Sequence, residues 1–270
     1  MRLTLATWNI NSVRLRIDLV GRFLREQAPD ILCLQETKCG DSEFPLAAFH
    51  KLGYPYAAIN GQKGYHGVAI ASKLPLTVLD RRSFCDKGDA RHIAVTLAPG
   101  GARRVIALHN FYVPAGGDEP DPAANPKFAH KLAFLDEMAD WMTTERIAGS
   151  GAIIAGDLNI APLETDVWNH KALLRVVSHT PIEVEKLNLV REAGPWVDAL
   201  RHFVPPEEKL YTWWSYRARD WEKSDRGRRL DHVWVSESLK PRLDGARVLR
   251  ESRGWERASD HVPVLVHFDF

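Results

Sequence analysis

The stretch GAIIAGDLN (residues 151–159) opens as an apolar run and closes on an acid and an amide two residues apart. An apolar run of this length reads as a strand covered on both faces. An extended chain turns residues i and i+2 to one side, so Asp157 and Asn159 point together. Gly156 permits close approach of a backbone or a ligand, yet G-D-x-N is also good turn chemistry. By itself the stretch is equally a polar turn after a buried strand. Its weight comes from recurrence. Asn9 follows LTLATW, Glu36 follows DILCLQ, Asp231 sits within RRLDHVWV, and Asp260 and His261 stand at the head of VPVLVHF. Strand ends are rigid mountings whose loops gather at an edge of a fold, where catalytic groups gain precision.

Outward from this stretch, residues 2–8 (RLTLATW) alternate with a period of two and predict a strand, whereas residues 13–27 switch to helical spacing with Val13, Ile17, Val20 and Leu24 on one face. Pro29 ends that helix, and DILCLQE (residues 30–36) predicts another doubly covered strand. A short helix is expected near residues 44–52, and strands at 67–72, 92–97 and 103–112. The loop PAGGDEPDPAANP precedes an amphipathic helix over 127–146, and a mixed loop and helical stretch runs from GDLN through Leu200. Residues 229–236 and 261–268 read as late strands. Alternating and continuous strand patterns mixed with helices imply an α/β fold of sheets packed on each other with helices outside. No Ser/Gly tract, charge run or fixed-period repeat interrupts the 270 residues, so a single domain over 1–270 is expected.

Composition is that of an ordinary globular protein, 45% hydrophobic and 26% charged. The net charge of +1 gives no overall basic footprint, although a local basic patch does the same work. Residues 210–229, LYTWWSYRARDWEKSDRGRR, interleave aromatic and basic side chains in an expected loop, with Arg217, Arg219, Arg226, Arg228 and Arg229 clustered. The default for Trp213 or Trp214 is burial; in a loop beside Asp231, aromatic faces also suit an unstacked nucleotide or its sugar. Cys33, Cys39 and Cys85 form no C-x-x-C pair, and an odd count suits no disulfide framework. MRLTLATWNI lacks a signal-peptide core and no apolar run approaches a membrane span, so the expected setting is a reducing cytoplasm with no membrane partner.

Each polar residue has an ordinary explanation: Glu36 facing water, Asp231 pairing with Arg226, Arg228 or Arg229, His261 satisfied at a sheet edge. As a set, carboxylates, amides and one histidine suit a hard cation such as Mg²⁺ and the charge and proton needs of phosphodiester hydrolysis. The sequence has no Cys/His cluster for zinc, no H-E-x-x-H, no G-x-S-x-G and no Walker-type loop, so rival chemistries have no candidate site.

TWNIN, LQETK, GQKGYHGVAI, NFYVP, GDLNIAP, RLDHVWV and SDHVPV, in this order, resemble the exonuclease III family of DNA-repair enzymes, part of the deoxyribonuclease I-like endonuclease/exonuclease/phosphatase superfamily. The likeness runs from Leu5 to Val266. It implies a four-layer α/β sandwich with two central mixed β-sheets flanked by helices. It also implies Mg²⁺-dependent cleavage of double-stranded DNA 5′ to abasic sites, with Mn²⁺ substituting, and 3′-to-5′ exonuclease and 3′-end-cleaning activity on 3′-blocked DNA. A monomer is the family default.

Carried over by residue, Glu36 matches the principal metal ligand, with Asn9, Asn11 and Asp260 around it. Asp157 matches the acid that activates water and can hold a metal at some stage, and Asn159 the residue that orients it and contacts the phosphate. The metal-side set is thus Asn9, Asn11, Glu36, Asp157, Asn159, Asp260 and His261. His261 with Asp231 matches the pair that stabilises charge in the transition state, and Tyr112 matches a tyrosine at the phosphate or leaving oxygen. Lys63 in GQKG, Arg91 in DARHIAV, and Trp213, Trp214 and Arg217 in WWSYR are the DNA-contact candidates. From the residues alone, an Asp–His pair favours imidazolium but also allows His261 to be the general base; Asp157 is the preferred base here. Two departures stand out. Ala115, Gly116 and Gly117 replace the long polar side chain usual after NFYVP, and residues 163–191 share little with the family pattern. Both leave open a 3′-end-trimming enzyme with little abasic-site incision, or a catalytically weak DNA-binding relative.

Overall fold

A computed structural model describes residues 1–99, 105–147, 151–218 and 220–270. Its strands are β1 (Arg2–Asn9), β2 (Ile31–Gln35), β3 (Tyr56–Asn60), β4 (Val68–Ser72), β5 (Leu76–Asp80), β6 (His92–Leu97), β7 (Ile106–Tyr112), β8 (Ala152–Asp157), β9 (Trp196–Asp198), β10 (Trp213–Trp214), β11 (Gly227–Arg228), β12 (Asp231–Ser236), β13 (Leu243–Val248) and β14 (Val264–Asp269). Its α-helices are α1 (Ile17–Glu26), α2 (Leu46–Lys51), α3 (Pro126–Thr144), α4 (His170–Leu173), α5 (Pro181–Glu192), α6 (Ala199–Phe203) and α7 (Trp221–Ser224).

Two six-stranded mixed sheets form the centre, in the orders β13-β14-β1-β2-β4-β3 and β5-β6-β7-β8-β12-β9. The period-two pattern of β1 explains the layering. Leu3 and Leu5 enter the core between the sheets with Ile31, Val95, Leu108, Ile153 and Val233. Ala6 and Trp8 point the other way, onto Phe23 of α1 and Phe49 of α2. On the far sheet, Phe111 and Ile154 pack under Phe134 of α3 and Leu187 of α5. The result is a helix–sheet–sheet–helix sandwich, with apolar side chains on both faces of the central strands.

Each sheet contains one parallel pair, β1 with β2 and β7 with β8. Parallel neighbours finish at the same edge, which brings Asn9 beside Gln35 and Tyr112 beside Asp157. β14 and β12 run antiparallel to these strands and therefore begin at that edge, with Asp231 directly across from Asp157. This is why acids follow some apolar runs and precede others in the sequence.

Beneath the edge lies a buried polar seam. Gln35 Nε2 donates to Thr7 Oγ1 (2.9 Å) and, across the sheets, to Asn110 Oδ1 (2.7 Å), and Asn110 Nδ2 donates to the carbonyls of Leu34 and Ala69. The hydrogen bonds between Gln35, Leu34, Ala69 and Asn110 tie the two sheets together at this point.

Several elements differ from expectation. The first helix starts at Ile17, because Ser12 and Val13 give their amides to Glu36 and Thr37 and the backbone at Asn11 and Ser12 is left-handed. β3, β5, β9 and β13 lie outside the expected strands; β5 and β13 are edge strands with half-exposed side chains and little apolar signal. The strand expected over 103–112 runs from Ile106, and Arg103 lies outside the described residues. The expected loop over 210–229 contains β10, β11 and α7. No helix among the described residues is long and apolar enough to cross a membrane.

The close approach anticipated at Gly156 is to backbone: φ is +140° and a Cβ would lie 2.0 Å from the Phe111 carbonyl oxygen. Gly156→Ala should lose roughly 3 kcal/mol of stability through this overlap, read as a lower urea midpoint; an unchanged midpoint contradicts the packing described.

Candidate active site

Asp157, at the end of β8, is 1% exposed and collects the site around it. Asn9, the last residue of β1, donates its amide to Asp157 Oδ2 and to Glu36 Oε1, both at 2.9 Å, so one Nδ2 joins carboxylates from the two sheets. Asn159 donates its backbone N–H to Asp157 Oδ1 (2.9 Å) and its Nδ2 to Oδ2 (3.1 Å) and to the Val113 carbonyl. His261 Nε2 faces Asp157 Oδ2 at 3.6 Å, and its Nδ1 donates to Asp231 Oδ2 at 2.8 Å. Thr212 Oγ1 adds a 2.6 Å hydrogen bond to the same Asp231 oxygen.

A second group surrounds Glu36. Tyr112 donates its hydroxyl to Glu36 Oε1 (2.9 Å), and Lys38 Nζ lies 2.9 Å from Oε2 and 2.6 Å from Asn11 Oδ1. Asn11 Nδ2 reaches Asp260 Oδ1 (3.3 Å), while Trp213 Nε1 donates to Asp260 Oδ2 (3.0 Å). The SDHVPV segment is pinned on either side of Asp260: Ser259 Oγ donates to the Asn9 carbonyl and Trp8 Nε1 to that of His261. Asn11, Glu36, Lys38, His66 and Asn159 all hold φ between 49° and 55°. Left-handed non-glycine backbone costs on the order of 1 kcal/mol per residue and concentrates where side-chain aim matters.

The electrostatics follow from burial and company. Desolvation pushes the Asp157 carboxyl up to about 7, with Asp231 and Glu36 adding and the His261 charge opposing. Burial alone would strip His261 of its proton, but Asp231 and Asp157 raise its pKa to about 10. Burial also acts to raise Glu36, but the Lys38 ammonium and the Asn9 amide outweigh it and hold the carboxyl below its usual value. The site thus holds a proton-accepting carboxylate, an imidazolium and an ionised carboxylate side by side.

The donor set fits a cation in two adjoining places. Glu36, Asn11 and Asp260 offer oxygen ligands, and Lys38 already places a positive charge among the first two; an all-oxygen set suits a hard divalent ion. Among the described residues, ligand atoms of Asp157, Asp231 and His261 lie within 4.8 Å of one another, and Asp231 Oδ1 is buried without a partner. A metal bound there would have to release the proton of His261.

Beside these groups opens a cleft of about 710 Å³ whose walls include Trp168, Leu173, Val177, Trp213 and Arg228. A separate cavity of about 540 Å³, between Pro162 and α5, contains none of the site groups.

Of the DNA-contact candidates, Trp213 and the exposed Arg217 line the cleft. Trp214 does not: it is 1% exposed, packed edge-on to Tyr211 and Trp221 with Nε1 bonded to Asp225, so its faces belong to the core. Lys63 is exposed on the loop after β3. Arg91 is no solvated charge. It is held by Asp89 and the Tyr112 carbonyl and lies 4.9 Å over the Tyr112 ring. Arg229, expected in the basic cluster, is buried against Asp166 and Asp198, and Arg219 lies outside the described residues. Sequence reasoning passed over Lys38, Thr212 and Trp168. Only Lys38, two residues after Glu36 in QETK, carried a signal.

The sequence pattern of the Endonuclease/Exonuclease/phosphatase family matches residues 6–261. The chain is 29% identical to exodeoxyribonuclease III of Haemophilus influenzae, covering 97% of this chain and 98% of that one. Among solved structures it resembles an AP endonuclease from Archaeoglobus fulgidus (32% identity, TM-score 0.89, 99% and 100% of the two chains). A 3′ phosphatase, NExo, from Neisseria bound to a product DNA hairpin is similarly close (30%, TM-score 0.87, 99% and 100%). The chain belongs to the Endonuclease/Exonuclease/phosphatase family and is a nuclease of the DNA-repair type. Within that family it falls among the exonuclease III-type AP endonucleases.

Asp231→Asn removes the charge that keeps the His261 proton. Because the histidine's folded pKa is raised from 6.5 to about 10, its contribution to stability is complete below 6.5 and is lost as pH rises through 10. The variant should therefore be less stable at neutral pH, with the gap to wild type closing above 10. Its cleavage rate should fall by roughly 10² or more, and its alkaline limb should move toward neutral pH. A pH–rate profile superimposable on wild type contradicts the assignment.

Proposed function

We propose that this nuclease hydrolyses the backbone of double-stranded DNA on the 5′ side of abasic sites, using Mg²⁺, with 3′-to-5′ exonuclease and 3′-end-cleaning activity. The observation that carries the reading is the placement of Asp157 between two amides and His261, with Asn159 and His261 facing a cleft of about 710 Å³. Asp157, its carboxylate made more basic by burial, takes the proton of the attacking water. Asn9 and Asn159 hold its oxygens in place. His261, kept charged by Asp231, faces the oxygens on which negative charge grows. Tyr112 lies at the phosphate beside Glu36. Glu36 and Asp260, with Asn11 at their side, would hold the Mg²⁺, which supplies charge neutralisation at the phosphate oxygens when bound.

Trp213 and Arg217 supply a face and a charge for the nucleotide 3′ to the cleaved bond, with Lys63 reaching along the backbone. Arg91 acts more on Tyr112, which its guanidinium covers. A cytoplasmic monomer of one domain is the form we assign.

A second reading, 3′-end trimming with little abasic-site incision, is favoured by one observation. The cleft wall at Ala115 and Gly117 carries no side chain long enough to enter a duplex. A labelled duplex with one abasic analogue, assayed beside an undamaged blunt duplex, separates the two. Incision at the lesion with Mg²⁺, abolished by chelator, is expected; trimming of the blunt end alone supports the second reading, and cleavage of neither duplex refutes both. Duplex affinity should fall steeply between about 50 and 200 mM salt; a flat response contradicts the phosphate contacts.

A further inference from the structure

Lys131, on α3, and Glu183, on α5, form an ion pair with N···O 2.5 Å, and both side chains are fully buried. The ammonium has three donors and meets three acceptors: Glu183, the Asn159 carbonyl (2.8 Å) and the Ala115 carbonyl (3.3 Å). Glu183 in turn accepts from the backbone N–H of Ser178 (2.9 Å) and of Thr180 (3.1 Å) and from the Thr180 hydroxyl (2.7 Å). Ala115, Asn159 and Ser178 come from three separate loops, and all three line the cleft. Gly116 lies so close over the lysine that a Cβ there would sit 2.9 Å from Lys131 Cδ.

A buried ion pair contributes little net stability, because desolvation offsets attraction. Stability alone therefore gives no reason for a charge here in place of an apolar contact between α3 and α5. The geometry gives one. Asn159 orients Asp157 through its side chain while its own left-handed backbone is held at the carbonyl by Lys131. We infer that Lys131, with Glu183 as its counter-ion, is a positioning residue that fixes the Asn159, Ala115 and Ser178 loops in the arrangement the reaction needs. This rests on the phosphodiesterase reading of the cleft.

Lys131→Met alone leaves Glu183 buried and unpaired and should fold poorly. The informative protein is the double variant Lys131→Met, Glu183→Gln, which removes both charges and keeps an acceptor for the Ser178 and Thr180 amides. Its melting temperature should stay within about 5 °C of wild type. On the abasic duplex its kcat should fall roughly 10- to 100-fold with KM changed little, as loss of alignment demands. Hydrogen exchange over residues 113–118 and 157–161 should speed up. A double variant as unstable as Lys131→Met, or one with wild-type kcat or wild-type exchange, overturns the proposal. If the wild type itself leaves the duplex intact, the functional reading fails, and the exchange comparison still decides the clamp.

Discussion

A carboxylate with 1% of its surface exposed, placed where two β-sheets meet, must be compensated by its neighbours or give up its charge. Asp157 is that carboxylate, and much of the site's architecture can be traced to it. The last residue of β1 is an amide that bridges it to Glu36. The residue two beyond it turns back with two donors. Just before the final strand stands an imidazole that faces it while resting on Asp231. These groups come from both sheets, so the alignment of the sheets and the alignment of the site are one constraint. The seam of Thr7, Gln35 and Asn110 just below enforces both.

Compensation is incomplete, and that incompleteness has chemical use. Fully neutralised, Asp157 would be an inert structural acid; isolated, it would simply remain protonated. With desolvation on one side and His261 and two amides on the other, it is pushed up to about 7, the range in which a general base works best near neutral pH. The histidine is displaced upward as well, beyond the range of a neutral-pH base, because two buried acids share it. In the proposed reaction, two titratable neighbours with differently tuned surroundings would divide the work of accepting a proton and stabilising charge.

The sequence made the strands legible wherever an apolar run was buried on both faces, as in residues 30–36 and 151–159. Edge strands β5 and β13 escaped notice because half of their side chains meet water. The site was legible as a set of polar residues at strand ends, and the cause is topological: parallel pairs end, and antiparallel neighbours begin, at one edge. What the sequence hid was pairing at a distance. Nothing in WWSY separates Trp213, at the cleft, from Trp214, in the core; the two-residue pairing of β10 with β11 decides it. Nothing in RGRR shows that Arg228 lines the cleft while Arg229 is locked between Asp166 and Asp198. Thr212 and Lys131 carry no local signal at all, since each acts on loops remote from it in the chain.

At neutral pH, His261 should be a charged imidazolium held between two buried carboxylates. Nitrogen-15 NMR of the ring in the wild-type protein, titrated from pH 6 upward, reads this directly. Both ring nitrogens should be protonated through neutral pH, with the proton lost near 10. A neutral ring at pH 7, with one nitrogen bare, would contradict it.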